Sequence, residues 1–354
     1  MLLTGLALQM QHISITESLI ALKIPKTTNM AYIRLAGFDI GGTKCASIVG
    51  TADTETGNIT IDHRVQIDTP KGTDPYKVLD SLCEAISDFK DDIKAIGISC
   101  GGPLNSKTGV ILSPPNLVGW DNIEAVKYIS EKTGIPTAIQ NDANACALAE
   151  WKFGAGKGYS NLVFYTFGTG FGAGLILDGR LYAGTNDNAG EIGHVRLSEY
   201  GPVGYGKQGS VEGFCSGSGI AKIGQNLALE KLQMGKTVSF CKDGDLSKIT
   251  AKTLAIAAEN GDKTAIKAYE TSAVMLGRTC AMTIDILNPE VIVIGSVFQR
   301  SEKLFRLILD ETVKKEALSL AASVCKIVSA ELGDKIGDYA ALAVALNKYT
   351  ENNN

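Results

Sequence analysis

The sequence predicts an α/β protein of two lobes, in which a unit that begins with a β-hairpin occurs twice. Short apolar runs typical of buried strands alternate with segments of helical period. A strand–glycine turn–strand pattern at residues 35–49 recurs at 162–177, and repetition at about one domain length indicates a duplicated unit. The chain length of 354 residues also favours two domains of ordinary size.

The first half of the chain shows the pattern clearly from Tyr32 onward. Residues 76–90 carry apolar side chains at the spacing of an amphipathic helix. Gly134 and Pro136 end a second helix, and Asn141-Asp142 begins a third. The predicted strands are 33–40, 45–49, 59–67, 93–99 and 137–140, the predicted helices are 76–90, 123–133 and 142–153, and residues 101–120 form a loop rich in Gly and Pro.

The second half opens with the repeated hairpin and continues with helices around one buried strand. That strand is Val291-Ile-Val-Ile, followed by Gly295. The predicted helices are 254–258, 263–286, 301–315 and 340–348.

Composition excludes several classes of protein. The net charge of −4 argues against broad electrostatic binding to nucleic acid or to an anionic membrane. The chain contains no run of about 18 uncharged apolar residues, so we expect no membrane-spanning helix. Its eight cysteines are dispersed without a Cys-x-x-Cys pair, and the N-terminus lacks the features of a secretory signal. We therefore expect reduced thiols and a cytoplasmic protein.

The two glycine turns are candidate phosphate-binding loops. Consecutive amides without side chains form an anion-binding concavity, and the adjoining Thr and Lys side chains add donors. Asp39 ends the first strand, where a carboxylate can hold Mg²⁺ directly or through water. The candidate residues are Gly41, Gly42, Thr43 and Lys44 in the first turn and Gly168, Thr169 and Gly170 in the second.

Other phosphate motifs do not fit the sequence. The P-loop pattern Gly-x-x-x-x-Gly-Lys-[Ser/Thr] does not occur. The glycines at 168–174 superficially resemble a dinucleotide fingerprint, but residues 175–177 continue as strand instead of opening a helix. A dinucleotide fold needs the N-terminus of that helix, so this interpretation is set aside.

The segment Gln140-Asn-Asp-Ala-Asn144 has two interpretations. It lies where a buried strand meets a helix, and Asn and Asp are common helix N-caps. Alternatively, Asp142 projects into a cleft and accepts a proton from an attacking hydroxyl, with Asn141 orienting it. Phosphoryl transfer needs a positioned carboxylate of this kind.

Taken together and in order, these motifs resemble the ROK sugar kinases, which belong to the actin and hexokinase superfamily. The resemblance runs from about residue 36 to 345 and implies the two-lobed, actin-like ATPase (ribonuclease H-like) fold. The matching segments are Asp39-Ile-Gly-Gly-Thr-Lys44, Gly97-Ile-Ser-Cys-Gly-Gly-Pro103, Ser113-Pro-Pro-Asn-Leu-Val-Gly-Trp120, 140–144, 167–170, Gly190-Glu-Ile-Gly-His194 and 291–295.

The resemblance also implies roles for individual residues. Asp142 matches the general base, and Gly295 matches the strand end near the adenosine. The two glycine turns match the loops that bind the ATP phosphates. The residues that match sugar contacts are Gly102, Asn141, Glu191, His194 and Glu212.

One segment departs from the family pattern. Family members commonly hold a structural zinc with the His of Glu-x-Gly-His and three cysteines, but here Val203, Tyr205 and Ser210 occupy the cysteine positions. His194 alone cannot make a closed tetrahedral site, so zinc is predicted to be absent. Packing of Tyr205 and Phe214 is a candidate substitute for the metal.

The sequence thus predicts an ATP-dependent, Mg²⁺-requiring kinase for a hexose or hexose derivative, and the resemblance implies a homodimer. We expect a poorly ordered extension at 1–30, a small lobe at 31–140 completed by a C-terminal helix at about 337–350, and a larger lobe at 141–336. The identity of the sugar stays open.

Two alternatives are a ROK-type sugar-responsive transcriptional regulator and a non-catalytic sugar sensor. A regulator would need a DNA-binding module, and the 38 residues before Asp39 show no helix-turn-helix pattern. The presence of Asp39, Lys44 and Asp142 argues against a silent sensor.

Overall fold

Two five-stranded sheets form the framework of the protein in a computed structural model that describes residues 32–54, 56–69 and 71–353. The predicted N-terminal extension at 1–30 lies outside the described residues. None of the helices in the described part of the chain is both long enough and apolar enough to span a membrane.

The N-terminal half, residues 32–141, contains the first sheet, and the Asp142 helix follows it directly. Asp74 caps the first helix by accepting a hydrogen bond from the Tyr76 amide. In chain order the elements are β1 (Tyr32–Ile40), β2 (Lys44–Asp53), β3 (Ile59–Asp68), α1 (Pro75–Glu84), β4 (Ile93–Cys100), β5 (Leu104–Asn105), β6 (Val110–Ile111), α2 (Ala125–Thr133), β7 (Thr137–Asn141) and α3 (Asp142–Phe153).

The C-terminal half, residues 142–335, contains the second sheet, and the last helix follows it. Its further elements are β8 (Leu162–Phe167), β9 (Phe171–Leu177), β10 (Arg180–Leu181), β11 (Val203–Gly204), β12 (Lys207–Gln208), α4 (Val211–Phe214), α5 (Gly217–Gln233), α6 (Ala251–Glu259), α7 (Lys263–Leu287), β13 (Val291–Ile294), α8 (Val297–Glu316), α9 (Ser319–Ala322), β14 (Lys326–Ser329) and α10 (Ile336–Asn353).

The two sheets repeat one strand arrangement. The first has the order β3-β2-β1-β4-β7 and the second has β10-β9-β8-β13-β14. In each, an antiparallel hairpin (β1–β2 or β8–β9) is extended by two parallel strands. The predicted duplication and the actin-like fold are therefore confirmed.

The register of the first sheet determines where the site forms. Asp39 on β1 pairs with Ser99 on β4, and Ser99 pairs with Gln140 on β7. Because these three strands are parallel, the residues that follow them emerge at the same edge. This brings Asp39, the loop that begins at Gly101 and the start of α3 together.

Helices α3 and α10 lie between the sheets, and glycines on the strands allow the close approach. A Cβ on Gly97 of β4 would lie 2.2 Å from the backbone oxygen of Ala341 in α10. A Cβ on Gly174 of β9 would lie 2.4 Å from the backbone oxygen of Ala143 in α3. The alanine-rich sequences of both helices suit this packing, because small side chains let helix and strand backbones approach closely. Their shared core joins Leu148 with the sheet and with α10.

Several local predictions differ from the structure. The helix expected at 76–90 ends at Glu84 and is followed by a short 3-10 helix at Ser87–Phe89. The loop at 101–120 contains the small β5–β6 hairpin. The helix expected at 301–315 begins at Val297, with a kink at Ser301.

Several elements were not predicted, among them the long helix α5 and the sheet strand β14. Helix α5 contains Gly217, Gly219 and Gly224, and glycine is a poor helix former. Ser216 compensates by capping the helix, and Gly224 leaves room for the Leu254 side chain of α6. Strand β14 has only four residues at the sheet edge, which is too short for a periodic signal.

Candidate active site

A cavity of about 220 Å³ opens where the edge of the first sheet meets α3. Two carboxylates, those of Asp39 and Asp142, line it together with the first glycine turn. The complete lining is Asp39, Ile40, Gly41, Gly42, Ser99, Cys100, Gly101, Gly102, Pro114, Pro115, Asn116, Leu117 and Asp142. Residues predicted to bind the metal (Asp39), the phosphates (Gly41 and Gly42) and the sugar (Gly102) thus line the same cavity as Asp142, which is predicted to accept a proton.

Asp142 is the first residue of α3, and its neighbour Asn141 is the cap of that helix. The Asn141 side chain accepts a hydrogen bond from the Asn144 amide at 2.8 Å. The Asp142 carboxylate accepts one from the Ala143 amide at 2.9 Å and is otherwise open to the cavity. Although solvent in the cavity reaches this side chain, the surrounding protein displaces bulk water, and this burial raises the pKa of Asp142. Asn141 is therefore the helix cap, and the Asp142 carboxylate is not needed for capping and faces the cavity.

Asp39 lies close to two other carboxylates, those of Asp338 and Asp142. Burial, and then the nearby carboxylates of Asp338 and Asp142, raise its pKa to about 6, while Arg64 opposes this shift. The Arg64 Nε donates to both carboxylate oxygens of Asp338 at 2.9 Å. Gly337 leaves the room that Asp39 needs, since a Cβ there would lie 2.8 Å from Asp39 Oδ2.

The first glycine turn joins β1 to β2 beside this carboxylate. The Gly41 amide donates to the Lys44 carbonyl at 3.1 Å, which closes the turn. Gly42 lies against the loop before α2, since a Cβ there would lie 2.3 Å from the backbone oxygen of Asn116. The side chains of Thr43 and Lys44 are exposed at the end of the turn.

The second glycine turn lies against the N-terminus of α5. The Gly168 amide donates to the Gly170 carbonyl at 3.1 Å, and the Gly168 carbonyl accepts from the Gly217 amide at 2.8 Å. The Ser218 hydroxyl donates to the carbonyl of Thr169, whose side chain is exposed. Gly295 lies near this second turn. Its amide donates a hydrogen bond to the Tyr165 carbonyl on β8, and the hydroxyl oxygen of the next residue, Ser296, would lie 3.9 Å from a Cβ on Gly168.

The predicted sugar contacts also come together. Burial raises the pKa of Glu191, the carboxylates of Asp142 and Glu212 raise it further, and His194 opposes them, so all four groups lie within electrostatic reach. Glu212 Oε2 accepts a hydrogen bond from the Phe171 amide at 3.1 Å, directly after the second glycine turn. A Cβ on Gly102 would lie 4.0 Å from the Asn141 Cβ, across the cavity edge.

The segment that replaces the zinc cysteines is the β11–β12 hairpin. Ser210 caps α4 by accepting from the Gly213 amide at 3.1 Å, and Lys207 Nζ donates to the His194 carbonyl at 2.7 Å. Phe214 is buried beneath Gly201, whereas Tyr205 is 77% exposed and reaches the His194 ring only edge-on, at 6.5 Å between centroids. Backbone and side-chain hydrogen bonds, more than the predicted Tyr205 packing, hold this segment. Among the described residues, no group of three or more His, Cys, Asp and Glu side chains could hold a metal ion.

Sequence reasoning missed several residues around the cavity. Arg64, Gly337 and Asp338 surround Asp39, and Asn116 lies against Gly42. Residues 337 and 338 lie almost 300 positions from Asp39 along the chain, and no local pattern links them. Only the packing of α10 behind β1 brings them together.

A family model described as the ROK family matches residues 35–348. The chain belongs to the ROK family. The glucokinase of Streptomyces coelicolor is 30% identical over 308 residues, which cover 85% of this chain and 94% of that protein. The N-acetylmannosamine kinase of Escherichia coli O157:H7 is 31% identical over 271 residues, covering 76% and 85%.

Among solved structures, a ROK family glucokinase from Streptomyces griseus in complex with glucose and AMPPNP superimposes with a TM-score of 0.69. It is 27% identical and covers 89% of this chain and 99% of that chain. The predicted membership of the ROK sugar kinases is thereby confirmed, and the protein is an enzyme of this kinase class.

Proposed function

We propose that this protein transfers the γ-phosphoryl group of ATP to a hydroxyl of a hexose or hexose derivative. The observation that carries the proposal is the shared cavity. The Asp142 carboxylate opens into the same space as Asp39 and the first glycine turn. An acceptor alcohol beside Asp142 would therefore lie near a phosphate chain bound at Gly41 and Gly42.

In this proposal Asp142 is the general base. It accepts the proton of the sugar hydroxyl while the hydroxyl oxygen forms a bond to the γ-phosphorus. The bond from that phosphorus to the bridging oxygen breaks, and ADP leaves with the electron pair. A raised pKa suits a carboxylate that must accept a proton, since a more basic group is the better acceptor.

The remaining residues bind and orient the two substrates. The backbone amides of the first glycine turn, with Thr43 and Lys44, and those of Gly168, Thr169 and Gly170 would hold the phosphates. Gly295 would lie near the adenosine. The sugar would contact Gly102, Asn141, Glu191, His194 and Glu212. Asp39 fits Mg²⁺, because it is a carboxylate with further negative charge nearby; it would hold the ion through water, and the ion would neutralise charge on the phosphates.

A coupled assay of ADP release tests the proposed activity. The sugars are glucose, fructose, mannose, allose, N-acetylglucosamine and N-acetylmannosamine, each with ATP and Mg²⁺. We expect sugar-dependent ADP release with at least one of them. Failure with all six, in folded protein, would contradict the proposed substrate class.

The Asp142→Asn variant tests the role of the base. Because Asn cannot accept the proton, we expect kcat to fall by about 10³-fold while the dissociation constant of ATP stays unchanged. The exposed Asp245→Asn variant, at the N-cap of a short 3-10 helix outside the cavity lining, serves as the matched control. A wild-type kcat in Asp142→Asn would overturn the assignment.

A further inference from the structure

A hydrogen-bonded contact joins the two halves of the protein at the rim of the sugar site. Ser106, in the turn between β5 and β6, donates from its amide and its hydroxyl to the two carboxylate oxygens of Asp187, at 2.9 and 2.5 Å. Asp187 belongs to the loop that follows β10. Beside this pair, Lys107 Nζ donates to the Thr185 carbonyl at 3.4 Å. The contact therefore links residues 81 positions apart that belong to different halves.

Asp187 is unusual for a loop residue. It is only 8% exposed, and its φ of 63° lies in the left-handed region. That conformation costs an L-residue free energy, although Asp tolerates it better than most side chains. A buried carboxylate held in an uncommon conformation, with both oxygens paired to one partner, indicates a constraint imposed by the surroundings.

The contact continues directly into the candidate sugar-binding residues. The Asp187 carbonyl accepts a hydrogen bond from Asn141 Nδ2 at 3.5 Å. On one side, Ser106 follows Gly102 by four residues in the chain. On the other, the loop of Asp187 leads into Glu191, where the Gly190 carbonyl is fixed by the Ala173 amide at 2.8 Å. Asp187 is thus linked to Gly102, through Ser106, on one side of the candidate sugar site and to Asn141 and Glu191 on the other.

We propose that Asp187 is a positioning residue for the sugar: its hydrogen bonds to Ser106 hold Gly102 on one wall and Asn141 and Glu191 on the other in the arrangement that encloses the ring. This inference rests on the proposed function. The charge-assisted hydrogen bonds from Ser106 to Asp187 form only when the two halves are in contact. They therefore stabilise the arrangement that binds the sugar. Their loss lowers the affinity for sugar and leaves the ATP site intact.

Two variants remove the contact from opposite sides. Asp187→Gly deletes the carboxylate and keeps a residue that adopts the left-handed conformation freely. Ser106→Ala deletes the hydroxyl and keeps the amide. Loss of a charged hydrogen bond changes affinity by about tenfold or more, so we expect the KM for the sugar to rise by that factor while the KM for ATP stays within about twofold.

Coupling between the variants separates positioning from general damage. The double variant Ser106→Ala/Asp187→Gly is expected to match Asp187→Gly alone, because the second change removes a donor whose acceptor is already lost. Ser106→Thr keeps the hydroxyl and is expected to retain a near wild-type KM. Additive effects, an unchanged sugar KM in Asp187→Gly, or equal rises in both KM values would overturn the proposal.

A matched control exists within the C-terminal half. Ser239 donates from its amide and hydroxyl to Asp262 at 3.2 and 2.6 Å, which is the same donor pair on the same type of acceptor. Ser239→Ala removes an equivalent hydroxyl from a contact that joins no residues across the two halves. We expect both KM values to stay at the wild-type level.

Hydrogen exchange separates this proposal from the proposed function. The Ser106 amide is expected to exchange faster in Asp187→Gly than in the wild type, because its acceptor is lost. Equal exchange rates would overturn the contact whatever the activity. A wild-type protein that phosphorylates none of the sugars would instead overturn the proposed function and leave the exchange result to stand on its own.

Discussion

At the scale of single residues, the structure gives Asp39 and Asp142 different surroundings within one cavity. Asp142 opens to the cavity from the first turn of a helix, with Asn141 as the cap. Asp39 is crowded by Asp338, whose own charge is partly balanced by Arg64. The sequence predicted both carboxylates because each lies at the end of a strand in a recognisable motif. Arg64 and Asp338 carry no such motif, so their part in the site could not be predicted.

Replacement of Asp39 by Asn is expected to stabilise the metal-free protein and to abolish its activity. Because the folded-state pKa is raised from 3.8 to about 6, the folded protein binds more protons than the unfolded chain between these values. Stability therefore falls as the pH rises through this window. Asp39→Asn removes the cost of the buried charge, so the free energy of unfolding should increase by about 3 kcal/mol at pH 8 and change little near pH 4.

Denaturant unfolding at pH 4 and pH 8 measures this difference. The exposed Asp88→Asn variant controls for the loss of one charge. Equal stability of Asp39→Asn and wild type at pH 8 would show that the ionised carboxylate carries no cost in the folded protein.

At the scale of elements, glycines on the strands decide how closely the central helices pack. Gly97 faces the α10 backbone, with the Ala341 oxygen and the Ala345 nitrogen 2.2 and 2.3 Å from a built Cβ. The sequence predicted the strand and the apolar C-terminal helix from their patterns. The resemblance assigned that helix to the N-terminal lobe, but nothing predicted the close approach of Gly97 to the α10 backbone, because pattern and propensity are local and this contact joins distant parts of the chain.

Replacement of Gly97 by Ala is expected to destabilise the protein by about 3 kcal/mol, because backbone atoms must move to admit the methyl group. Gly172→Ala is the matched control on β9, where the nearest neighbour of a built Cβ lies at 3.7 Å. Thermal unfolding of the two variants measures the difference. Equal melting temperatures would mean that α10 can shift away from the sheet without cost.

The β11–β12 hairpin gives a second prediction at this scale, concerning metal dependence. Hydrogen bonds from Lys207 and Ser210 order the segment, and Val203, Tyr205 and Ser210 provide no thiolate ligand. We expect a zinc-selective chelator to leave the kinase activity unchanged and removal of Mg²⁺ to abolish it. Loss of activity on zinc chelation, with recovery on zinc addition, would contradict this.

At the scale of the whole molecule, α3 and α10 connect the two sheets, and Glu150 of α3 is hydrogen-bonded to the segment that precedes α10. This fully buried carboxylate on α3 accepts hydrogen bonds from the amides of Ala155, Glu331 and Leu332 at 2.9, 3.1 and 3.0 Å. Residues 331 and 332 lead into α10, which carries Gly337 and Asp338 past Asp39. The helix that bears Asp142 is thereby tied to the helix that encloses Asp39.

Replacement of Glu150 by Gln is expected to lower the free energy of unfolding by about 2 kcal/mol, because the amide group presents a donor where an acceptor is needed. Burial raises the pKa of Glu150, and its three amide partners oppose that shift. Glu124→Gln, which loses only an exposed pair with Lys127, is the control. Chemical denaturation measures the free energy of unfolding of both variants. An equal decrease in the two would show that the buried hydrogen bonds of Glu150 add no more stability than an exposed ion pair.

The sequence by itself determined most strands of the two five-stranded sheets and most helices, the two glycine turns, the carboxylates at 39 and 142 and the absence of the zinc cysteines. These features have local signals in hydrophobic period, turn chemistry and motif spacing. The tertiary structure decided that Asp142 opens into the same cavity as Asp39, that Asp338 raises the pKa of Asp39, and that Ser106 contacts Asp187. Each of these depends on the packing of segments far apart in the chain, where the relative positions are set by buried surfaces and backbone clearance and no local pattern records them.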